Sequence, residues 1–285
     1  MHQPPLTIEE QIENLQKLNL IIPNVDYAKK FLKDVSYFRL IKAYSLGLKS
    51  KDGTYKSNIT FEQIVELYLF NANLRQNLFS FIEIIEVNLR TILSNYVSVK
   101  YDVLGYLDSE NFSNKKIHEV FMAKINDEIK RNKRSPFIKN FQENYDGNIP
   151  FYALTEIMSF GALSKFYKNL HNNDKKEIAQ IYQLNYTFLE SWIESIAYVR
   201  NLCAHYGRLY NVILAKKPRL FSEYREQEVR NDRLFAVLCC IKHLIPNDHQ
   251  WEEFVQTLDD LFSKYSHVNK FTMGFPSNWK KLLVN

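Results

Sequence analysis

The chain has 285 residues, 46% of them hydrophobic and 14% aromatic, which is enough apolar surface for a sizeable core and excludes disorder as the default state. Seven glycines and eight prolines are too few turn formers for a many-stranded sandwich or barrel, or for a glycine-rich nucleotide fold, so an all-α protein is expected. A net charge of +5, from 37 basic and 32 acidic residues, is too mild to hold the chain on nucleic acid by itself.

Thr7-Ile-Glu-Glu10 predicts a capping box and a first helix carrying Ile8, Ile12, Leu15 and Leu18, closed by Pro23. Asp26 is expected to cap a second helix, and the aromatic-basic run from Tyr37 to Tyr44 to form a third. The turn signal Lys51-Asp-Gly53 suggests short flanking strands, a minor β-hairpin over 48–59. Thr60 and Gln63 form a second capping box, opening a long core helix through Leu74, Leu78, Phe81, Ile85, Leu89, Ile92 and Tyr96, with an interruption expected near Asn71 and Asn73.

Further helices are expected at 114–132, 136–144, 150–170, 174–184, 187–206, 226–244 and 248–265, with loops at 101–113 and 207–225. No linker or fixed-period repeat divides them, so 1–285 reads as one α-helical unit. Within it, an N-terminal helical part covers about 1–59, a core about 60–245, and a C-terminal helix and tail 246–285. No run of eighteen apolar residues occurs, and Met1 to Pro5 lacks the regions of a secretion signal, so a cytoplasmic protein off the membrane is expected. Cys203, Cys239 and Cys240 are an odd count without a C-x2-C pair, which argues against a disulfide framework and makes a zinc site with His205 improbable; no metal or cofactor is expected.

The 187–206 helix opens with a capping-box pattern at Thr187 and Glu190 and buries Leu189, Trp192, Ile193, Ile196, Val199 and Cys203. Its polar end stands out: Arg200, Asn201 and His205, with Gly207 placed to terminate it and Arg208 following. Asn201 and His205 share a face, whereas Arg200 lies about 140° round from His205, so its side chain must reach or the helix end must distort. Cleavage by a ribose 2′-hydroxyl needs a proton acceptor, a proton donor and stabilisation of a charged phosphorane. Histidine supplies either proton role near neutral pH, arginine offers a fork of donors to phosphate oxygens, and an asparagine amide orients the imidazole or binds the nucleotide. The plain alternative is a polar terminus with His205 and Arg208 at the negative end of the helix dipole.

Context favours the chemistry. Arg200-Asn-Leu-Cys-Ala-His205-Tyr-Gly-Arg208-Leu-Tyr-Asn211 resembles the motif of the HEPN ribonuclease superfamily and, within it, the signature of the AbiD/AbiF-type abortive infection proteins. Ile149-Pro-Phe-Tyr-Ala-Leu-Thr-Glu156-Ile-Met-Ser159-Phe-Gly161-Ala-Leu-Ser164 and the stretch from Tyr68 to Arg90 resemble other blocks of that family, and the likeness runs from about Thr7 to Trp279. Two departures stand out: Phe151 and Tyr152 replace a frequent tryptophan, and Tyr206 stands where many relatives carry a second histidine.

The resemblance implies a HEPN-like helical bundle with additional helices and a metal-independent endoribonuclease acting as a toxin-like antiphage effector. His205 would be general acid or base, Arg200 would stabilise phosphate charge, and Asn201 would position the scissile group or the imidazole. It also implies an RNA substrate, a homodimer and restraint by a cognate non-coding RNA or other partner. The alternatives are a non-catalytic RNA-binding regulatory protein and a helical interaction scaffold.

Several residues carry secondary expectations. Glu86 and Arg90 read as an intrahelical pair or as a buried polar support for the 187–206 helix. Glu156, just before Ser159-Phe-Gly161, is expected to support a close helix approach that only glycine permits. Lys130, Arg131, Lys133 and Arg134 either bind phosphates or form a solvated helix end. Arg39, among Tyr37, Phe38, Tyr44 and Tyr55, either serves base stacking or borders core aromatics. His118, His171, His243, His249 and His267 are expected at the surface or at caps.

Overall fold

Local capping dictates where the first helices begin. In the structure, a computed structural model that describes residues 5–284, Thr7 and Glu10 close a reciprocal capping box on α1 (Ile8–Lys17). The second helix, α2 (Val25–Asp34), is capped by Asn24, whose side chain accepts from the Tyr27 amide. Asp26 therefore sits inside the first turn, where a carboxylate favours the helix dipole, and is not the cap. The aromatic-basic run forms a single π-helical turn, Phe38–Lys42. Among the described residues there is no strand: the hairpin expected over 48–59 reduces to one antiparallel bridge, Lys49 with Tyr55, turned by Gly53 at φ +89°.

Thr60 and Gln63 cap α3 (Phe61–Tyr101), 41 residues without a break. The interruption expected at Asn71 and Asn73 is absent because both side chains are satisfied without displacing a backbone amide of the helix ladder. Asn71 is fully buried and accepts from the Leu209 and Tyr210 amides, while Asn73 donates to the Leu69 carbonyl and the Tyr265 hydroxyl.

Two 3-10 turns lead to α4 (Lys115–Arg131) and α5 (Pro136–Asn144). The helix expected over 150–170 is broken into α6 (Phe151–Leu154), a 3-10 turn over Thr155–Ile157, and α7 (Phe160–Asn169), which Ser159 caps. The break frees the Met158 carbonyl, which accepts from Arg90 on α3 at 3.0 Å. Gly161 meets no backbone neighbour, so the close approach expected there does not occur.

Next come α8 (Asn172–Ile181) and α9 (Tyr186–Ala204). Asn185 caps α9 by accepting from the Thr187 amide and hydroxyl, so the expected Thr187/Glu190 box does not form and Glu190 instead pairs with Lys175 at 3.0 Å. A short α10 (Ser222–Glu226) precedes α11 (Leu234–Lys242), which begins eight residues later than the 226–244 expectation because Glu228, at φ +56°, turns the chain. The chain ends with α12 (Asp248–Lys264) and α13 (Trp279–Val284).

The axis of the packing is α9, which lies against α3, α7, α8 and α11. Every residue of α11 from Leu234 to Ile241 is buried, the pattern of a helix surrounded by core. His118 departs from the surface expectation, being buried and stacked on Phe112, whereas His243 is exposed as the C-cap of α11, its ring 5.5 Å from that of Trp192. No helix among the described residues is long and apolar enough to cross a membrane.

Candidate functional site

The polar end of α9 is set by how the helix stops. Leu189, Trp192, Ile193, Ile196, Val199 and Cys203 are buried along one side, leaving Asn201 and His205 exposed on the other. The Gly207 amide donates to the Leu202 carbonyl and the Tyr206 amide to Cys203, the two bonds of a Schellman closure. Tyr206 takes the left-handed position of that closure at φ +57°, where glycine is usual. Gly207 is needed for a different reason: a Cβ there would lie 2.9 Å from the Leu202 carbonyl oxygen. His205 is thus the C-cap, at φ −100° and ψ 24°, its amide still donating to the Asn201 carbonyl, so the helix stays regular through Ala204 and departs from helical geometry only at His205.

Arg200 is held from α3. Its Nε donates to Glu86 Oε2 at 3.1 Å, and its guanidinium lies 5.5 Å from the centroid of the Phe79 ring. The other oxygen of Glu86 accepts from Arg90 at 2.9 Å, and the same Arg90 nitrogen donates to the Met158 carbonyl. One buried carboxylate therefore joins two guanidinium groups and ties α3 to α9, which is more than the intrahelical pair its spacing suggests. Among the described residues, neither the Asn201 amide nor the His205 imidazole has a side-chain hydrogen-bond partner, so both are free to meet a ligand.

The segment after the helix is pinned by residues that sequence reasoning missed. Asn71 and Arg75, four apart on the buried face of α3, both donate to the Gly207 carbonyl, at 3.4 and 3.2 Å. Two polar residues four apart among Leu74 and Leu78 were the available signal. Arg208 donates to the Ala43 carbonyl beyond the π-helical turn, and burial pushes its guanidinium pKa down. Arg39, from that turn, places its guanidinium 5.8 Å from the centroid of the exposed Tyr206 ring. An open groove of about 470 Å³ lies beside the helix end, between Arg75, Gln76 and Phe79 on one side and Cys203 and Tyr206 on the other.

Other expected site residues lie elsewhere. Lys130, Arg131, Lys133 and Arg134 are exposed at the end of α4, with Arg131 paired to Glu128 at 2.7 Å, and α4 packs on α7. Glu156 is exposed and forms no hydrogen bond, so it gives the fold no buried support. Tyr44 and Tyr55 are core residues, whereas Phe38 is exposed. Burial pushes the Cys203 thiol up to about 12, leaving it protonated near neutral pH and unsuited to nucleophilic attack. No group of three or more His, Cys, Asp or Glu among the described residues is placed to hold a metal ion.

An all-α chain with an arginine locked to a buried carboxylate and a free histidine one turn further on defines a helical protein with a polar helix-end site. The chain belongs to the Abi-like protein family, whose model matches residues 30–211. That span includes Arg39, Glu86, Arg90, Arg200 and His205. Neither the curated proteins nor the solved structures show a significant match to it.

Proposed function

We propose that the chain is a HEPN-type, metal-independent endoribonuclease of the AbiD/AbiF kind, acting in the cytoplasm as an abortive-infection effector against phage. The observation that carries this reading is the pairing of a fixed Arg200, gripped by Glu86, with an exposed and unengaged His205 at one helix end. Arg200 keeps two guanidinium nitrogens beyond its bond to Glu86 and presents them to phosphate oxygens. The ribose 2′-oxygen attacks phosphorus as it loses its proton, the bond to the 5′-oxygen breaks, and that oxygen takes up a proton. His205 serves one of these two transfers, and Asn201 orients the scissile group or the imidazole. Family resemblance supports restraint of the toxin by a cognate non-coding RNA.

The test is RNA cleavage by the purified chain with and without EDTA. Cleavage is expected to survive the chelator and to leave 2′,3′-cyclic phosphate ends. His205→Ala is expected to abolish cleavage and cellular toxicity with a nearly unchanged melting temperature, because an exposed side chain contributes little packing. Arg200→Lys is expected to fail as well, since it keeps a charge but loses the planar fork. Full activity in both variants overturns the assignment. RNA that is retained but never cut identifies a binding protein instead.

A further inference from the structure

The block from Ile149 to Ser164 resembles a family segment yet contributes only the Met158 carbonyl to the helix-end site. Part of it, with the rest of α7, forms one wall of a cavity of about 410 Å³ facing α4. The floor is aromatic: Phe112, Phe121 and Phe166 are all buried, with Phe166 5.3 Å from each of the other two rings. Ile125 completes it, and Ser159 and Asn169 are the polar groups on the α7 side. Apolar walls with a few placed polar groups are the usual make-up of a small-molecule site.

Charge at the mouth narrows the ligand. Lys124 from α4 and Lys165 from α7 line the cavity, and neither forms an ion pair within 4 Å among the described residues, although Glu194 lies close enough to Lys165 to attract it weakly. Two acids, Asp127 and Glu128, also line the cavity, but each is paired with a base of its own helix end, Asp127 with Lys130 at 4.0 Å and Glu128 with Arg131 at 2.7 Å, while Glu194 outside the lining pairs with Lys168 and Lys216. The Lys124 charge, and burial after it, hold the Lys165 ammonium below its ordinary value. Two ammonium groups repelling each other beside an apolar floor are relieved by an anion seated between them. A volume near the lower end of the roughly 300–1,000 Å³ typical of ligand sites suits one ring system with its phosphate and not the paired acyl chains of a membrane lipid.

We propose that this cavity binds a nucleoside 5′-monophosphate, with the base against Phe112, Phe121 and Phe166 and the phosphate between Lys124 and Lys165. The site lies apart from Arg200 and His205, and the proposal stands whether or not the chain cleaves RNA. The same chemistry is offered by a free nucleotide and by a nucleotide within an RNA strand.

Isothermal titration of the full chain with AMP, GMP, CMP and UMP, their nucleosides and inorganic phosphate tests it. At least one nucleotide is expected to bind about tenfold or more tighter than both its nucleoside and phosphate. Lys124→Ala and Lys165→Ala are each expected to weaken it about tenfold, by loss of a charge-assisted contact at an exposed residue. Phe121→Leu, which keeps the wall apolar, is expected to weaken the nucleotide while leaving any phosphate binding unchanged. A 2′-O-methylated dinucleoside monophosphate separates the sources: binding as tight as the mononucleotide assigns the site to an RNA strand, and weaker binding assigns it to the free nucleotide. No saturable nucleotide binding, phosphate binding as tight as the nucleotide, or nucleotide affinity unmoved by the lysine variants overturns the proposal.

Discussion

At Tyr206 the demands of folding run against those of the proposed RNA recognition. It adopts φ +57° beside His205 while 68% exposed, so no packing compensates a backbone position that glycine fills at lower cost. What it offers instead is an open ring with the Arg39 guanidinium near it, a surface on which an unstacked base can lie. Tyr206→Gly is therefore expected to leave stability unchanged or raise it by up to about 1 kcal/mol, the strain relief exceeding the added freedom of the unfolded chain. RNA affinity, measured in a His205→Ala background by filter binding, is expected to fall roughly tenfold for one lost stacking contact. A lower melting temperature would mean that the ring is structural. Glu86→Gln works the other way: it leaves two guanidinium groups without their shared countercharge, and a loss of about 3 kcal/mol in denaturant unfolding is expected along with a loss of cleavage. The motif makes Arg200 and His205 legible in the sequence, and i,i+4 spacing does the same for Glu86 and Arg90. The grip of Glu86 on Arg200 spans 114 residues of chain and is a product of packing.

Elements were legible where their signals are local and obscure where a distant residue decides. Thr7 and Thr60 start their helices through partners three residues away, so the sequence carries the whole instruction. The division of 150–170 answers to Arg90, 68 residues away, and the continuity of α3 through Asn71 answers to amides at 209 and 210. The same long-range logic joins α3 to α8. Asp174, buried on α8, accepts from the Tyr96 and Tyr101 hydroxyls and pairs with Lys100 at 2.7 Å. Burial pushes its carboxyl pKa up, but the bonds from Lys100, Tyr101 and Tyr96 outweigh burial and hold it below its ordinary value. A folded-state value lower than the unfolded one means that this stabilisation is complete above the unfolded carboxyl's pKa and is lost as pH falls through the folded value. Asp174→Asn is expected to cost about 3 kcal/mol at neutral pH, near the low end for a broken buried pair because Lys100 is partly exposed. The gap between variant and parent in urea melts should narrow below about pH 4, and a gap that stays constant into acid would assign the cost to packing.

For the whole molecule, the proposed chemistry meets one constraint: each chain carries one Arg200/His205 set, and among the described residues no side chain hydrogen-bonds the His205 imidazole. A single imidazole cannot accept the proton of the attacking 2′-hydroxyl and donate another to the leaving oxygen at the same moment. Two copies facing each other across a two-fold axis would divide these roles, and their helix ends would add positive charge at the entrance for the proposed RNA substrate. Under the proposed chemistry such an interface would lie beside the exposed end of α9, because a dimer formed elsewhere would leave the two sites apart and the proton problem unsolved. Specific activity is therefore expected to fall as the protein is diluted through its dimer dissociation range. A tandem fusion of two chains should restore activity at the same low concentration, since the link replaces bulk concentration with a local one. Mixing gives a sharper version. A fusion with His205→Ala in one half should retain little activity if each half supplies one proton transfer, and about half if each site works alone. A chain that sediments as a monomer under assay conditions and still cleaves at the full rate would defeat the shared site while leaving the roles of Arg200 and His205 intact.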